Sequence, residues 1–150
     1  MKCTLRRTED LDEIKDLHKL AFAADHWPGD DHEFWIAKNP IGRPVGFCSA
    51  LYFPEHKGIY LSRAAVALEA RGEGLQRRMV RARLNWAKRE TGAVGAWTFV
   101  KTDNQESLIN LLRCGFRMGP LHLGGKYMQF YKPFFNNPDW PYIEIAKKIL

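Results

Sequence analysis

Between Ile59 and Glu90 the chain reads as a largely buried strand, a short loop with glycines at 72 and 74, and a helix that begins at once. This junction constrains the fold more than any other segment. The first turn of a helix leaves four N–H groups without intrahelical acceptors, and the helix dipole puts partial positive charge there. Glycines let the backbone turn sharply and come close to a ligand. The product is a cradle for an anionic group such as a phosphate, and Arg71 stands where its guanidinium can add charge-assisted hydrogen bonds.

The rest of the chain supplies a sheet and helices around that junction. Residues 3 to 7 predict a short strand. Thr8 reads as an N-cap followed by Glu9, Asp10 and Asp12, acids that a helix N-terminus favours. Leu11, Ile14, Leu17, Leu20 and Ala21 recur at helical spacing and carry the helix to about Ala24. After Pro28-Gly29, strands at 33 to 38 and Val45 to Phe53 flank the turn Asn39-Pro40-Ile41-Gly42 and read as a hairpin. A third strand covers Ile59 to Ala67.

The helix from Leu75 to Glu90 puts Leu75, Met79, Ala82 and Trp86 on one side, with Val80, Arg83 and Ala87 beside them. Arg77, Arg81, Asn85 and Lys88 lie opposite. A strand over Val94 to Lys101 and a helix over Asn104 to Cys114 follow, with Gly115 placed as the residue after the helix. Phe116 to Met118 and Tyr127 to Tyr131 are further strands around Gly124-Gly125. A proline- and aromatic-rich tail ends in a short amphipathic helix over Tyr142 to Leu150. Strands and helices intermix, but the early connections are hairpins. The expected class is therefore α/β, a mixed and mostly antiparallel sheet flanked by helices. No linker or repeat divides residues 1–150, so a single domain is expected.

Charge narrows the partners. The chain carries a formal net charge of +6. Arg71, Arg77, Arg78, Arg81, Arg83, Lys88 and Arg89 face one acid, Glu73, in the basic stretch; Asp25, Asp30, Asp31 and Glu33 make an acidic one. A basic balance favours an anionic partner. A nucleic-acid-binding module is the weaker reading, because no aromatic residues interleave as stacking platforms on the basic helix. Apolar runs are too short to span a bilayer, and residues 1 to 7 lack the apolar core of a secretory leader. Cys3, Cys48 and Cys114 are odd in number and widely spaced, which fits buried thiols in a reducing, cytoplasmic setting and no metal site.

The glycine loop lacks the Gly-Lys-Ser/Thr ending of a Walker A loop, and Arg77 stands where a dinucleotide fingerprint needs its third glycine. Arg71-Gly72-Glu73-Gly74-Leu75-Gln76, five residues after Val66, instead resembles the R/Q-x-x-G-x-G/A loop of the GNAT superfamily of N-acetyltransferases. Gln76 replaces the last small residue of that pattern. Asn104-Gln105-Glu106-Ser107 followed by Gly115-Phe116 resembles the same family's N-x-x-A/S…G-F block, at the expected place after a strand. The similarity runs from about Leu11 to Tyr131.

That resemblance implies a sheet splayed beside the strand ending at Val66, with acetyl-CoA as co-substrate in the opening. Backbone groups of Ala64, Ala65 and Val66 would bind the pantetheine, and the N–H of Val66 would face the developing oxyanion. Backbone N–H groups of Gly72, Glu73, Gly74, Leu75, Gln76 and Arg77 would hold the pyrophosphate with Arg71, and Asn104 and Ser107 would touch the cofactor from another wall. An amine, on a small molecule or a protein, would attack the thioester directly. Tyr60 and Ser62 occupy strand positions where the family often carries its base, and Leu111 stands where it often has a tyrosine acid. An acyl-CoA binder without turnover is the alternative. Asp30 and Asp31 fall in the connection that borders the family's acceptor entrance, where acids attract a cationic amine. The tail aromatics Phe134, Phe135, Trp140 and Tyr142 cover a sheet edge or form a homodimer contact.

Overall fold

The computed structural model describes residues 2–22 and 26–135. The tail helix expected over Tyr142–Leu150, with Trp140, lies outside them, as does Asp25. Among the described residues a seven-stranded sheet runs in the order β1-β2-β3-β4-β5-β7-β6. Its strands are β1 (Thr4–Thr8), β2 (Glu33–Lys38), β3 (Pro44–Phe53), β4 (Gly58–Val66), β5 (Gly95–Lys101), β6 (Arg117–His122) and β7 (Tyr127–Pro133); the helices are α1 (Leu11–Ala21), α2 (Leu75–Glu90) and α3 (Gln105–Arg113). Single 3₁₀ turns at Pro54–His56 and Leu68–Ala70 fill two connections. No helix among the described residues is long and apolar enough to cross a membrane.

Within the described residues the expected elements are present, with shifted ends. The N-cap of α1 is Asp10, whose side chain accepts from the N–H of Asp12, while Thr8 Oγ1 accepts from the N–H of Asp10 at 3.0 Å. Thr8 thus sits two residues further out than expected and holds the cap in place. The strand expected at 116–118 continues to His122, because residues 117–122 find a partner in β7.

The chain groups into two compact units, Met1–Leu51 with Ser62–Met79, and Tyr52–Leu61 with Val80–Leu150. In the first, β1–β2 and β2–β3 are antiparallel. Ile14, Phe34, Ile36 and Phe47 form a buried cluster, joined by Leu11, Leu17, Phe22, Trp27 and Ala65. Each fully buried side chain of this size is worth about 1.5–3 kcal/mol relative to exposure. On the other face of β3, Gly46 leaves no room for a side chain: a Cβ there would stand 2.7 Å from the carbonyl oxygen of Ala65 and 3.0 Å from Met79 Cε.

One irregularity in β4 shapes the site. Phe34↔Ser49 and Ile36↔Phe47 are cross-strand partners, so these four share a face. Ser62 joins that face through Ser49. Ala65 joins it through the Ile14 cluster. Side chains three apart cannot share a face of a regular strand. The backbone agrees: Ala67 N–H donates to Val45 O, so four residues along β3 match five along β4. The strand carries one extra residue between Ser62 and Ala65, a bulge that kinks it.

In the second unit the parallel β4–β5 ladder covers Gly58↔Gly95 to Tyr60↔Trp97, and Thr98 Oγ1 donates to Leu61 O at 2.7 Å just beyond. The β5–β7 ladder is longer, from Gly95↔Pro133 to Lys101↔Tyr127. Trp97 is buried under Phe53, Tyr60, Val94, Phe99 and Tyr131. Gly115, with φ 88°, ends α3, and Lys132 Nζ donates to Cys114 O at 2.6 Å where the helix leaves its carbonyls unpaired. All three cysteines are free and buried.

Candidate active site

The loop after β4 is built to stay open. Gly72 (φ 83°) and Gly74 (φ 76°) both take left-handed backbone. Nothing lies within 4 Å of a Cβ position at Gly72, and only Arg77 Nη2, at 4.0 Å, approaches one at Gly74. No neighbour therefore requires these glycines; the backbone turn does. The bond from Arg78 N–H to Gly74 O opens α2. The N–H groups ahead of Arg78 stand in the helix's first turn, where the backbone supplies no acceptor. Around this turn Leu75 is buried, Gln76 and Arg77 are half-buried, and Arg71, Gly72 and Glu73 are exposed.

Side chains brace the loop. Arg71 Nε donates to Val66 O at 3.1 Å, tying the loop back to the end of β4. Arg78 Nη1 donates to Cys3 O at 2.7 Å, and Cys3 Sγ donates to Glu73 Oε2 at 3.7 Å. Burial, then the carboxylate of Glu73, pushes the Cys3 thiol above its ordinary value. A charged diphosphate fits this cradle: two left-handed glycines, the amides of a helix's first turn, which have no intrahelical acceptor, and a nearby guanidinium are what it needs.

Of the strand residues expected to bind the pantetheine, Ala64 and Ala65 are half-buried and Val66 is buried. Asn104 is the N-cap of α3: its Oδ1 accepts from the N–H of Ser107 at 3.2 Å. These two residues are thus brought together, while the amide NH2 of Asn104 has no partner among the described residues. Leu111 is buried.

Tyr60 and Ser62 meet different neighbours. Tyr60 lies on Trp97, ring centroids 5.7 Å apart and nearly parallel, with Phe99 edge-on. Ser62 is hydrogen-bonded on two sides, to Ser49 Oγ at 2.6 Å and to His32 Nδ1 at 2.9 Å. His32 is half-buried, and desolvation lowers its pKa below the ordinary imidazole value; Asp31 pulls it back up in part, and the Arg63 guanidinium adds a lesser downward push. The sequence reading did not connect His32 with Ser62. Its one signal was a histidine directly before a strand, and nothing in the residue order says that this strand start sits over the middle of β4.

The acidic segment is less free than its composition implied. Asp30 Oδ1 accepts from Trp27 Nε1 at 2.7 Å and lies 3.7 Å from Lys15 Nζ. Trp27 in turn stacks on Phe34. Asp31 is exposed and folds over Gly29, where a Cβ would stand 2.6 Å from its Oδ1.

Comparison with known proteins bears on this geometry. A family model described as "Acetyltransferase (GNAT) family" matches residues 4–116. A comparison with curated protein sequences finds no match. Among solved structures, an IAA acetyltransferase from Bacillus cereus superposes with TM-score 0.75 at 17% identity, over 89% of this chain and 100% of its own. NAA60 from Arabidopsis thaliana, in complex with a bisubstrate analogue, gives TM-score 0.72 at 17% identity over 91% and 100%. A mutant form of the spermidine/spermine N-acetyltransferase SpeG from Vibrio cholerae gives 0.71 at 15% over 88% and 95%. At these identities the likeness is one of fold.

Proposed function

We propose, from the premise that this chain belongs to the acetyltransferase (GNAT) family, that it transfers the acetyl group of acetyl-CoA to a primary amine by direct attack. The observation that carries the reading is the open loop at Gly72 and Gly74 leading straight into the first turn of α2, which opens with the Arg78 N–H to Gly74 O bond. Bound there, acetyl-CoA supplies an activated thioester carbonyl. The chain's own groups do the rest. Backbone N–H groups from Gly72 to Arg77 and the Arg71 guanidinium hold the diphosphate. Backbone groups of Ala64, Ala65 and Val66 align the pantetheine, and the N–H of Val66 stabilises oxyanion charge. Asn104 offers its amide NH2, with Ser107 beside it on the cap of α3. Tyr60 and Ser62 serve the reacting end, and Asp30 and Asp31 draw in a cationic acceptor.

The acceptor is a small-molecule or protein amine. Similarly folded proteins named for spermidine and spermine N-acetylation support an amine as its class. The family match, running through both compact units, supports one catalytic domain. Three buried free thiols support a cytoplasmic setting. The exposed ring of Phe135 supports a homodimer contact.

Two measurements test the reading together. Acetyl-CoA at one hundred times its Kd should stabilise the protein by about 2.7 kcal/mol, read as a rise in Tm. Thiol release from acetyl-CoA should then appear with at least one of spermidine, free lysine and a peptide with an unblocked N-terminus. Stabilisation without thiol release would favour an acyl-CoA binder, the reading that buried Leu111 at the family's tyrosine position speaks for. The absence of both effects would overturn the proposal.

A further inference from the structure

We propose that His32 is the proton acceptor of this transfer and that it works through Ser62, whose hydroxyl passes the proton from the incoming ammonium. The inference rests on the amine-acetylation reading above and adds the proton path that reading lacks.

Ser49 Oγ, Ser62 Oγ and His32 Nδ1 form a continuous chain of 2.6 and 2.9 Å contacts. Ser49 is fully buried and Ser62 half-buried. The extra residue of β4 follows Ser62, in the stretch that leads to the strand end expected to align the pantetheine. A serine alone is a poor base near neutral pH, but one hydrogen-bonded to a neutral imidazole can shuttle a proton. Burial favours the neutral ring, and outweighs the charges that face it. Arg63 on β4 opposes a second positive charge, Phe34 on β2 and Ser49 on β3 bring no charge, and Asp31 on its own segment pulls the other way. With Nδ1 as the acceptor the proton sits on Nε2, and both hydroxyls can donate in one direction, Ser49 to Ser62 to His32.

The step balances. An R–NH3+ group gives one proton to Ser62 Oγ while the Ser62 hydroxyl proton moves to His32 Nδ1, leaving an imidazolium and a neutral amine. The amine lone pair forms the N–C bond, the C–S bond breaks, and its electron pair leaves on sulfur. The second nitrogen proton goes to that thiolate, giving the amide and CoA thiol. His32 acts through Ser62 and is a positioning and relay residue.

Asn in place of His32 keeps a hydrogen-bond acceptor near the Nδ1 position but cannot take a proton. H32N should lower kcat on the order of 100-fold, leave KM for acetyl-CoA and the Tm rise with acetyl-CoA unchanged, and remove the acid limb of the pH profile of kcat/KM. S62A should cost a similar factor, and the double variant no more than either alone. Independently of turnover, 15N NMR of the ligand-free protein should show His32 as the Nε2–H tautomer at neutral pH. An Nδ1–H tautomer, or an H32N enzyme with wild-type kcat and pH profile, would overturn the relay while leaving the acetyltransferase reading intact. A wild-type protein that transfers acetyl to no amine would sink that reading, and the relay with it.

Discussion

A methyl group added at Gly46 would press on the Ala65 carbonyl, a backbone atom that cannot swing aside. G46A should therefore destabilise the fold by about 1–3 kcal/mol, measured as a lower denaturation midpoint with an unchanged m-value. Gly72 needs its left-handed φ but has open space around it, so its glycine answers to conformation alone. The two glycines look alike in the sequence and differ entirely in cause. Residues of this kind mark the limit of sequence reading: Gly72 and Gly74 announce themselves by spacing, whereas Gly46 is explained only by a neighbouring strand and helix. His32 belongs with Gly46. Its partner Ser62 is thirty residues away, a separation that no local pattern encodes.

At the level of elements, periodicity was enough to find nearly every helix and strand, because each has a strong apolar face. The wheel for α2 placed Leu75, Met79 and Trp86 inward and Arg81, Asn85 and Lys88 outward, as found. It set Arg83 at the border, yet that side chain is buried at 3% exposure. The bulge in β4 was beyond reach, since a strand with one extra residue keeps the same composition as a regular one. The Asn104 cap joins local structure to binding. N104A should cost about 1 kcal/mol from loss of the bond to the Ser107 N–H, and it should also raise KM for acetyl-CoA. N104D keeps the capping oxygen and discards the amide donor, so it should retain the melting temperature and still raise KM. A normal KM in N104D would confine Asn104 to the cap.

For the molecule as a whole, the basic stretch is not all surface. Arg83 is buried, whereas Arg71 stays exposed although its Nε donates to the Val66 carbonyl. One guanidinium of the 71–89 stretch is thereby withdrawn from any partner. Global stability should register His32 as well. Its folded pKa lies below the ordinary 6.5. As the pH falls through 6.5 the unfolded chain takes up a proton that the folded ring resists. The stabilisation is thus complete above that value and is lost progressively as the pH drops toward the folded pKa. Comparing Tm at pH 7.5 and 5.5 should show a larger acid loss in the wild type than in H32N.

The odd residue in β4 also sets a reading frame. Between Ser62 and Ala65 the pleat changes phase once, so that a hydroxyl and a methyl three positions apart look the same way. Taking out one of the two residues between them would leave hydroxyl and methyl on the same side and return the strand to regular pairing. What the extra residue alters is the course of the backbone, not the facing of its neighbours.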